Sequence, residues 1–389
     1  MSDQVLNNER ILAIDIFRGL SILTMIFVND LASVKAIPGW MKHYAGDNGM
    51  TFVDLVFPTF LFIVGMSLPY AIDARRIKGD SIYLLLKHIL TRTLSLIFIG
   101  VMMLNMGRYN PQFLGISKGI WEFVFYLSVI FFWMETKRLP KKFWIYLKYA
   151  AGVLLLLMFI FYRGGAELGW LKTSWWGILG LIGWAYLIVA LIWIIGGANG
   201  CFLSSAFFLL ILLYGADKNA QLITNDFLWI GGHLGSHSAL TLAGLMTGLL
   251  FHRSRGELSP KERLKWLGAF AALFFAAGYL LNEPWGINKN LATPAWTLYS
   301  AGWSVLIFTG LYIILDLKGW KSWANWLQPA GMNPLLAYLL PGVLYAMGSS
   351  WYFSFWNNGA LGIIRSFLFS ALVLEITRRL SRKKLRLHL

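Results

Sequence analysis

Residues 175–195 read WWGILGLIGWAYLIVALIWII, a stretch without one charged side chain. An α-helix needs about 20 apolar residues to cross the hydrocarbon layer of a bilayer. It can do so because it satisfies its own backbone N–H and C=O groups where no water can. The stretch is too long and unbroken for a strand, and a membrane barrel would show alternating segments of about ten residues. Working outward in both directions, the chain offers eleven more such segments, at 11–29, 51–70, 87–104, 119–134, 143–162, 201–214, 237–251, 264–281, 293–315, 333–347 and 360–377. The segments at 201–214 and 333–347 are short, which predicts tilted or broken helices there.

Composition agrees. Of 389 residues, 58% are hydrophobic, 16% aromatic and 13% charged, and the mean hydropathy is +0.61. An average soluble domain is about 25% charged. These values exclude a disordered chain, a coiled coil and an ordinary soluble enzyme. The expected fold is an all-α, polytopic transmembrane helix bundle of about 12 spans (10–12), read as a single domain over 1–389 with a basic tail at 378–389.

The formal net charge is +16. In a soluble protein this would suggest nucleic acid. In a membrane protein it reads as topology, because Lys and Arg collect in cytoplasmic loops. With the N-terminus inside, 25 basic residues fall on the inner side and 9 on the outer side. The inner clusters are Arg75-Arg76, Lys137 to Lys148, Arg253 to Lys265 and Arg378 to Arg386. Both termini are then expected in the cytoplasm, in an inner (plasma) membrane. The run from Arg378 to Arg386 reads as a stop-transfer cluster meeting anionic lipid. The first apolar run holds Asp15 and Arg18 and lacks a small-residue cleavage site, so it reads as a span and not as a cleavable signal. With one cysteine, Cys201, no disulfide can form within the chain.

Ionisable groups within spans are costly and mark function by default. On this topology, Asn29 and Asp30, Lys42-His43-Tyr44, Asp47-Asn48-Gly49 and Asp54 lie near the outer face. So do His233, His237, Asn282-Glu283 and Asn288-Lys289-Asn290. Together they form a candidate polar site at the outer membrane boundary. His233 and His237 are four apart, a spacing compatible with metal on a helix, but no third ligand is spaced with them, so no metal is expected. Lys289 has an alternative partner in Glu283. Asp15 and Arg18 share a helix face and read as an ion pair. Trp175, Trp176, Trp296 and Trp303 read as interface belts. No phosphate-binding loop, dinucleotide fingerprint or nucleophile elbow is present. A secondary transporter of a small sugar-like or anionic solute is the alternative reading of such a chain.

Four blocks resemble one family. Ala13-Ile14-Asp15-Ile16-Phe17-Arg18-Gly19-Leu20 with Phe27-Val28-Asn29 looks like the opening of the heparan-alpha-glucosaminide N-acetyltransferase family. Lys42-His43-Tyr44-Ala45 followed by Asn48-Gly49-Met50-Thr51-Phe52-Val53-Asp54-Leu55-Val56-Phe57-Pro58 resembles its second block, a histidine before W-N-G-L-T-x-x-D-L-V-F-P. Ile287-Asn288-Lys289-Asn290-Leu291 is similar to its I/V-N-K-N-L-W. Gly331-Met332-Asn333-Pro334-Leu335 is similar to its P-G-M-N-x-I/L. The family's D-P-E-G-L is replaced here by His233 to Ser238, and the Trp after N-K-N-L by Ala292.

The resemblance implies a membrane acetyltransferase that takes acetyl from cytosolic acetyl-CoA and places it on an amino sugar or related glycan outside, with a homodimer as the expected assembly. It implies His43 as the base or acetyl carrier and Asn29 as its amide partner, with Asp54 holding the imidazole tautomer. Arg18, Arg75, Arg76, Arg253 and Arg255 are expected toward the CoA phosphates. Asp47, Asn48, His237, Glu283, Asn288, Lys289 and Asn290 are expected toward the acceptor.

Overall fold

In the computed structural model the described residues are 11–135, 140–220, 231–256, 258–348 and 354–389. Arg10, Lys137 and Arg138 of the inner basic set lie outside them. The described residues form thirteen helices. They are α1 Leu12–Leu31, α2 Val53–Ile77, α3 Ile82–Met106, α4 Lys118–Trp133, α5 Lys141–Phe161, α6 Gly177–Gly196, α7 Gly200–Ala220, α8 Gly231–Gly248, α9 Pro260–Trp285, α10 Pro294–Tyr312, α11 Gln328–Met332, α12 Pro334–Gly348 and α13 Gly359–Arg382.

Each of the twelve apolar segments falls on a helix, and nine are long and apolar enough to cross a membrane. The remaining three are α4, with 16 residues, and the shorter apolar stretches Gly200–Ala216 and Pro334–Gly348. Pro334–Gly348 carries one of the two segments the sequence marked as short, whereas the other, 201–214, lies on α7, a helix of 21 residues. Pro341 lies inside α12, and an interior proline removes one ladder donor.

The chain packs as two compact units. Of the described residues, the first comprises those within 11–21, 39–94 and 181–323, and the second those within 22–38, 95–180 and 324–389.

In the first unit α8 is the central helix. Its span is 89% buried, against 22% for α9, and its hydropathy of 1.3 is low beside 1.6 to 2.6 for the other long spans of this unit. Ser236, Ser238, Thr241 and Thr247 on it are fully buried. A helix surrounded by protein gains little from greasy side chains, whereas small residues let backbones approach. Against α2 the approach is extreme. A Cβ at Gly65 would sit 1.7 Å from the carbonyl oxygen of Thr241, and one at Gly244 would sit 1.9 Å from that of Phe62. At the far end of this unit, the N–H groups of Leu12 and Ala13 donate to the Asp316 carboxylate at 3.3 and 3.1 Å. The orphan donors at the start of α1 thus find an anion where the helix dipole favours one.

In the second unit α4 packs on α5 and α12. Asn333, in the turn before α12, is 2% exposed. Its amide donates to the Leu385 carbonyl at 3.0 Å, and its Oδ1 accepts from the Leu387 N–H at 3.2 Å. Arg386–Leu387 pairs antiparallel with Met134–Glu135. The end of the basic tail is therefore folded back on this unit.

The last turn of α1 carries one member of a buried pair that the sequence did not single out. Arg365 meets Asp30 at 2.7 Å, and Tyr345 donates its hydroxyl to the same carboxylate at 2.6 Å. The Asp30 side chain is 1% exposed. Removing one partner of a buried pair leaves the other charge uncompensated, which costs about 3–5 kcal/mol. Asp30→Ala is expected to lower the thermal unfolding midpoint in detergent by several degrees. An unchanged midpoint would show that the pair contributes no net stability.

Candidate active site

The site is built in the first unit from the start of α2, the loop before it, and the α9–α10 loop. Asp54 lies one turn into α2, where the helix N-terminus favours a carboxylate. It is 2% exposed. Its Oδ2 accepts the backbone N–H groups of Tyr44 and Thr51, each at 3.0 Å, and its Oδ1 lies 2.7 Å from Nδ1 of His43. An ionised carboxylate only accepts, so Nδ1 carries the proton and donates. The other ring nitrogen, Nε2, is left with its lone pair. The His43 side chain is 55% exposed against 3% for Asp54. A buried carboxylate with every oxygen engaged thus holds an accessible imidazole in one tautomer.

Lys289 reaches the same ring from the α9–α10 loop. Its Nζ stands 3.0 Å from Nδ1 and 3.3 Å from Nε2 of His43, and 3.8 Å from Asp54 Oδ1. The ion partner of Lys289 is therefore Asp54 and not Glu283, which is exposed on the last turn of α9. Burial lowers the Lys289 ammonium below the usual lysine range, with the Asp54 charge opposing the shift.

The loop that presents Lys289 is tightly braced. Asn288 Oδ1 accepts the Leu291 N–H at 3.1 Å, and the Asn288 N–H donates to Thr293 Oγ1 at 3.0 Å. Thr293 caps α10, and Pro294 follows at its first position, where the missing N–H costs nothing. Ala292, in place of the family's Trp, is buried and adopts φ 50°, a left-handed conformation uncommon for a residue with a Cβ. His233 Nε2 donates to the Asn290 carbonyl at 2.9 Å.

This loop is also tied to the one before α2. Asn48 Oδ1 accepts the Ile287 N–H at 2.8 Å, the Gly49 N–H donates to the Ile287 carbonyl at 2.9 Å, and Asn288 Nδ2 donates to the Asp47 carbonyl at 3.4 Å. Oδ1 of Asn48 and both polar atoms of the Asn288 amide, expected toward an acceptor in the sequence reading, brace the loops, and Asp47 contributes its carbonyl. Asn290 is exposed. His237 is buried on α8, its ring edge-on to Phe57 at 5.3 Å and near Trp296 at 6.1 Å. Trp296 is fully buried and its indole N–H donates to the Asp54 carbonyl at 3.4 Å. It is a wall of the site, not part of an interface belt. Among the described residues no group of three His, Cys, Asp or Glu is placed to hold a metal ion. Asn29 is exposed on the last turn of α1 and belongs to the second unit.

The basic residues expected toward CoA gather at the opposite end of α2. Arg76 and Arg253 both approach Asp73, at 3.9 and 3.7 Å. His252, buried between Tyr70 and Trp193, reaches the same carboxylate at 3.4 Å. Arg75 contacts Asp80 at 2.9 Å and His88 at 3.0 Å. Two groups that the sequence kept apart, after α2 and after α8, thus share one carboxylate. Arg18 is mostly buried, hydrogen-bonded to Ser67 and 3.8 Å from Asp15, so it sits within the helix packing and away from this cluster. The side chain of Arg255 lies outside the described residues. Asp54 and Arg75 are 21 residues apart on one helix. At 1.5 Å per residue this is about 32 Å, the thickness of the hydrocarbon layer.

These features define a polytopic helical membrane protein with a carboxylate-held histidine at one end of a span and an arginine cluster at the other. Residues 10–174 match the family described as heparan-alpha-glucosaminide N-acetyltransferase, catalytic. The chain is similar to the heparan-alpha-glucosaminide N-acetyltransferases of Mus musculus and Homo sapiens, 25% identical over 372 and 369 residues, or 85% of this chain in each case. These matches bear out the resemblance carried by the four blocks. The chain spans about half the length of these curated relatives, 53% and 52%.

Proposed function

We propose that this protein moves an acetyl group from cytosolic acetyl-CoA to an amino sugar or related glycan on the outer side of the membrane. One observation carries the reading: Asp54 fixes His43 with Nε2 free, one bilayer thickness along the same helix from Arg75 and Arg76. Acetyl-CoA is charged at one end and reacts at the other. Its phosphates suit Arg75, Arg76 and Arg253, while its pantetheine arm reaches toward the far end of the span. A sugar amine is protonated at neutral pH and must lose a proton before attacking the thioester. His43 Nε2 takes that proton, or it attacks the thioester and carries the acetyl group itself. Asn29 keeps the role of amide partner on the strength of the resemblance, as does a homodimer.

The orientation follows from the basic asymmetry of the loops. Contacts within the second unit support the alternation of spans, because they join loops that it assigns to one side. Lys35 bridges to Asn358 on the outer side, and Glu135 to Arg386 on the inner side.

The test is transfer of radiolabelled acetyl from acetyl-CoA by the purified protein to a panel of amino sugars and sugar alcohols. Labelled product with at least one sugar is expected. Failure with every acceptor, in protein that binds acetyl-CoA and melts cooperatively, would sink the assignment. For topology, single cysteines introduced at positions 3 and 386 are expected to resist an impermeant reagent in spheroplasts. Labelling of either from outside would overturn the orientation.

A further inference from the structure

We infer that Lys289 is a catalytic residue that donates from its ammonium to the oxyanion formed on the acetyl carbonyl. The inference rests on the proposed role of His43.

The geometry supplies the argument. Lys289 Nζ stands 3.0 Å from Nδ1 and 3.3 Å from Nε2, beside the ring and out of line with the Nε2 lone pair, so with Nδ1–H committed to Asp54 that lone pair stays open to the acceptor. Nε2 is also the atom that must receive the acceptor's proton. In the reaction the acceptor nitrogen or oxygen forms a bond to the acetyl carbon, and its proton passes to Nε2. The C=O π pair moves onto oxygen. The imidazolium is then a second cation beside the Lys289 ammonium, and like charges at this distance repel, so the ammonium's favourable partner is an anion. The nearest newly formed anion is the carbonyl oxygen, on the carbon beside which Nε2 works. Collapse of the intermediate returns the pair to C=O and breaks the C–S bond, and the thiolate leaves with the proton from Nε2. A charged donor that stands beside the base and meets an oxyanion only in the transition state stabilises that state selectively.

The surroundings keep Lys289 aimed. Asp54 from α2 and His43 from the loop before it face the ammonium directly. His233 from α8 holds the neighbouring Asn290 carbonyl, and Glu283 on α9 is exposed. The bracing of Asn288 by Thr293 and Leu291 leaves the Lys289 side chain as the one that crosses to His43. The sequence reading placed Lys289 among acceptor-binding residues, which predicts a different kinetic signature.

Lys289→Met should lower kcat by about 10²-fold, the usual cost of removing one oxyanion donor. The acceptor KM and the acetyl-CoA Kd should stay within about twofold. Added methylammonium should recover at least about tenfold of the lost kcat, a rescue that a merely structural lysine would not show. The active form is the ammonium, so rate should fall as pH rises through the lowered Lys289 range. In Lys289→Arg, which stays charged, that alkaline fall should move to higher pH.

Wild-type kcat with a raised acceptor KM would overturn the inference and return Lys289 to ground-state binding. So would a lost kcat that methylammonium does not restore. His43→Ala measured in parallel separates the two levels. Turnover in that variant removes the reading of the site itself, whereas an inert His43→Ala beside a fully active Lys289→Met removes only this inference.

Discussion

His43→Ala is expected to abolish acetyl transfer, lowering kcat at least about 10³-fold, while the protein stays folded and binds acetyl-CoA as before. General-base catalysis contributes typically 10²–10⁴-fold, and loss of an acetyl carrier would cost more. The fold should survive because the side chain is 55% exposed. Asp54 also keeps the Tyr44 and Thr51 N–H donors. CoA binding should survive because Arg75, Arg76 and Arg253 stand at the other end of α2. Asp54→Asn should follow with a loss of about 10²–10⁴-fold, since an amide can donate to Nδ1 and favour the wrong tautomer. Isothermal titration with acetyl-CoA and a single-turnover assay check both variants. Wild-type turnover in folded His43→Ala protein would remove His43 from the chemistry.

Gly244→Leu is expected to yield no folded protein. The Cβ alone would fall 1.9 Å from the Phe62 carbonyl oxygen, and 2.7 Å from its carbon. These are backbone atoms of a helix buried on the facing side, so no rotamer change relieves the clash. Overpacking by an extra methylene costs about 1–3 kcal/mol when side chains can adjust, and here the two helix axes must separate. Gly268→Leu on α9, whose Cβ meets nothing within 4 Å, is the control and should express normally. Size-exclusion profiles in detergent decide the matter. A monodisperse Gly244→Leu protein with wild-type melting would show that α2 and α8 do not pack this closely.

Most of the fold was legible because apolar length is a one-dimensional signal. All twelve segments lie on helices, and of the two marked as short, 333–347 falls on the 15-residue α12 whereas 201–214 lies within the 21-residue α7. The site was legible in part. His43 and Asp54 lie in one block, and the expected tautomer-holding contact is present at 2.7 Å. Lys289 was placed toward the acceptor, with Glu283 as an alternative partner, and its contact with His43 was not legible, because a sequence shows neighbours along the chain and not across 246 residues. Asn48 and Asn288 looked like sugar ligands since an amide suits either a sugar or a backbone group, and only coordinates reveal which one it meets. Trp296 was misread for a related reason. Composition places tryptophans at interfaces on average, whereas this one fills space beside His237. The Asp30–Arg365 pair was invisible because its members are far apart and each alone resembles a loop charge.

The bridge between the two ends of the sequence sets a clock. His43 and Asp54 leave the ribosome almost together, but Lys289 is synthesised 246 residues after His43. At 5–20 residues per second this gap is roughly 12–50 s. Throughout that interval the nascent chain displays an imidazole without its ammonium and a loop without the Ile287 strap that Asn48 and Gly49 require. Chains released early by a stalled ribosome would carry the histidine without the loop that braces it, so the site is complete only once translation has passed α9.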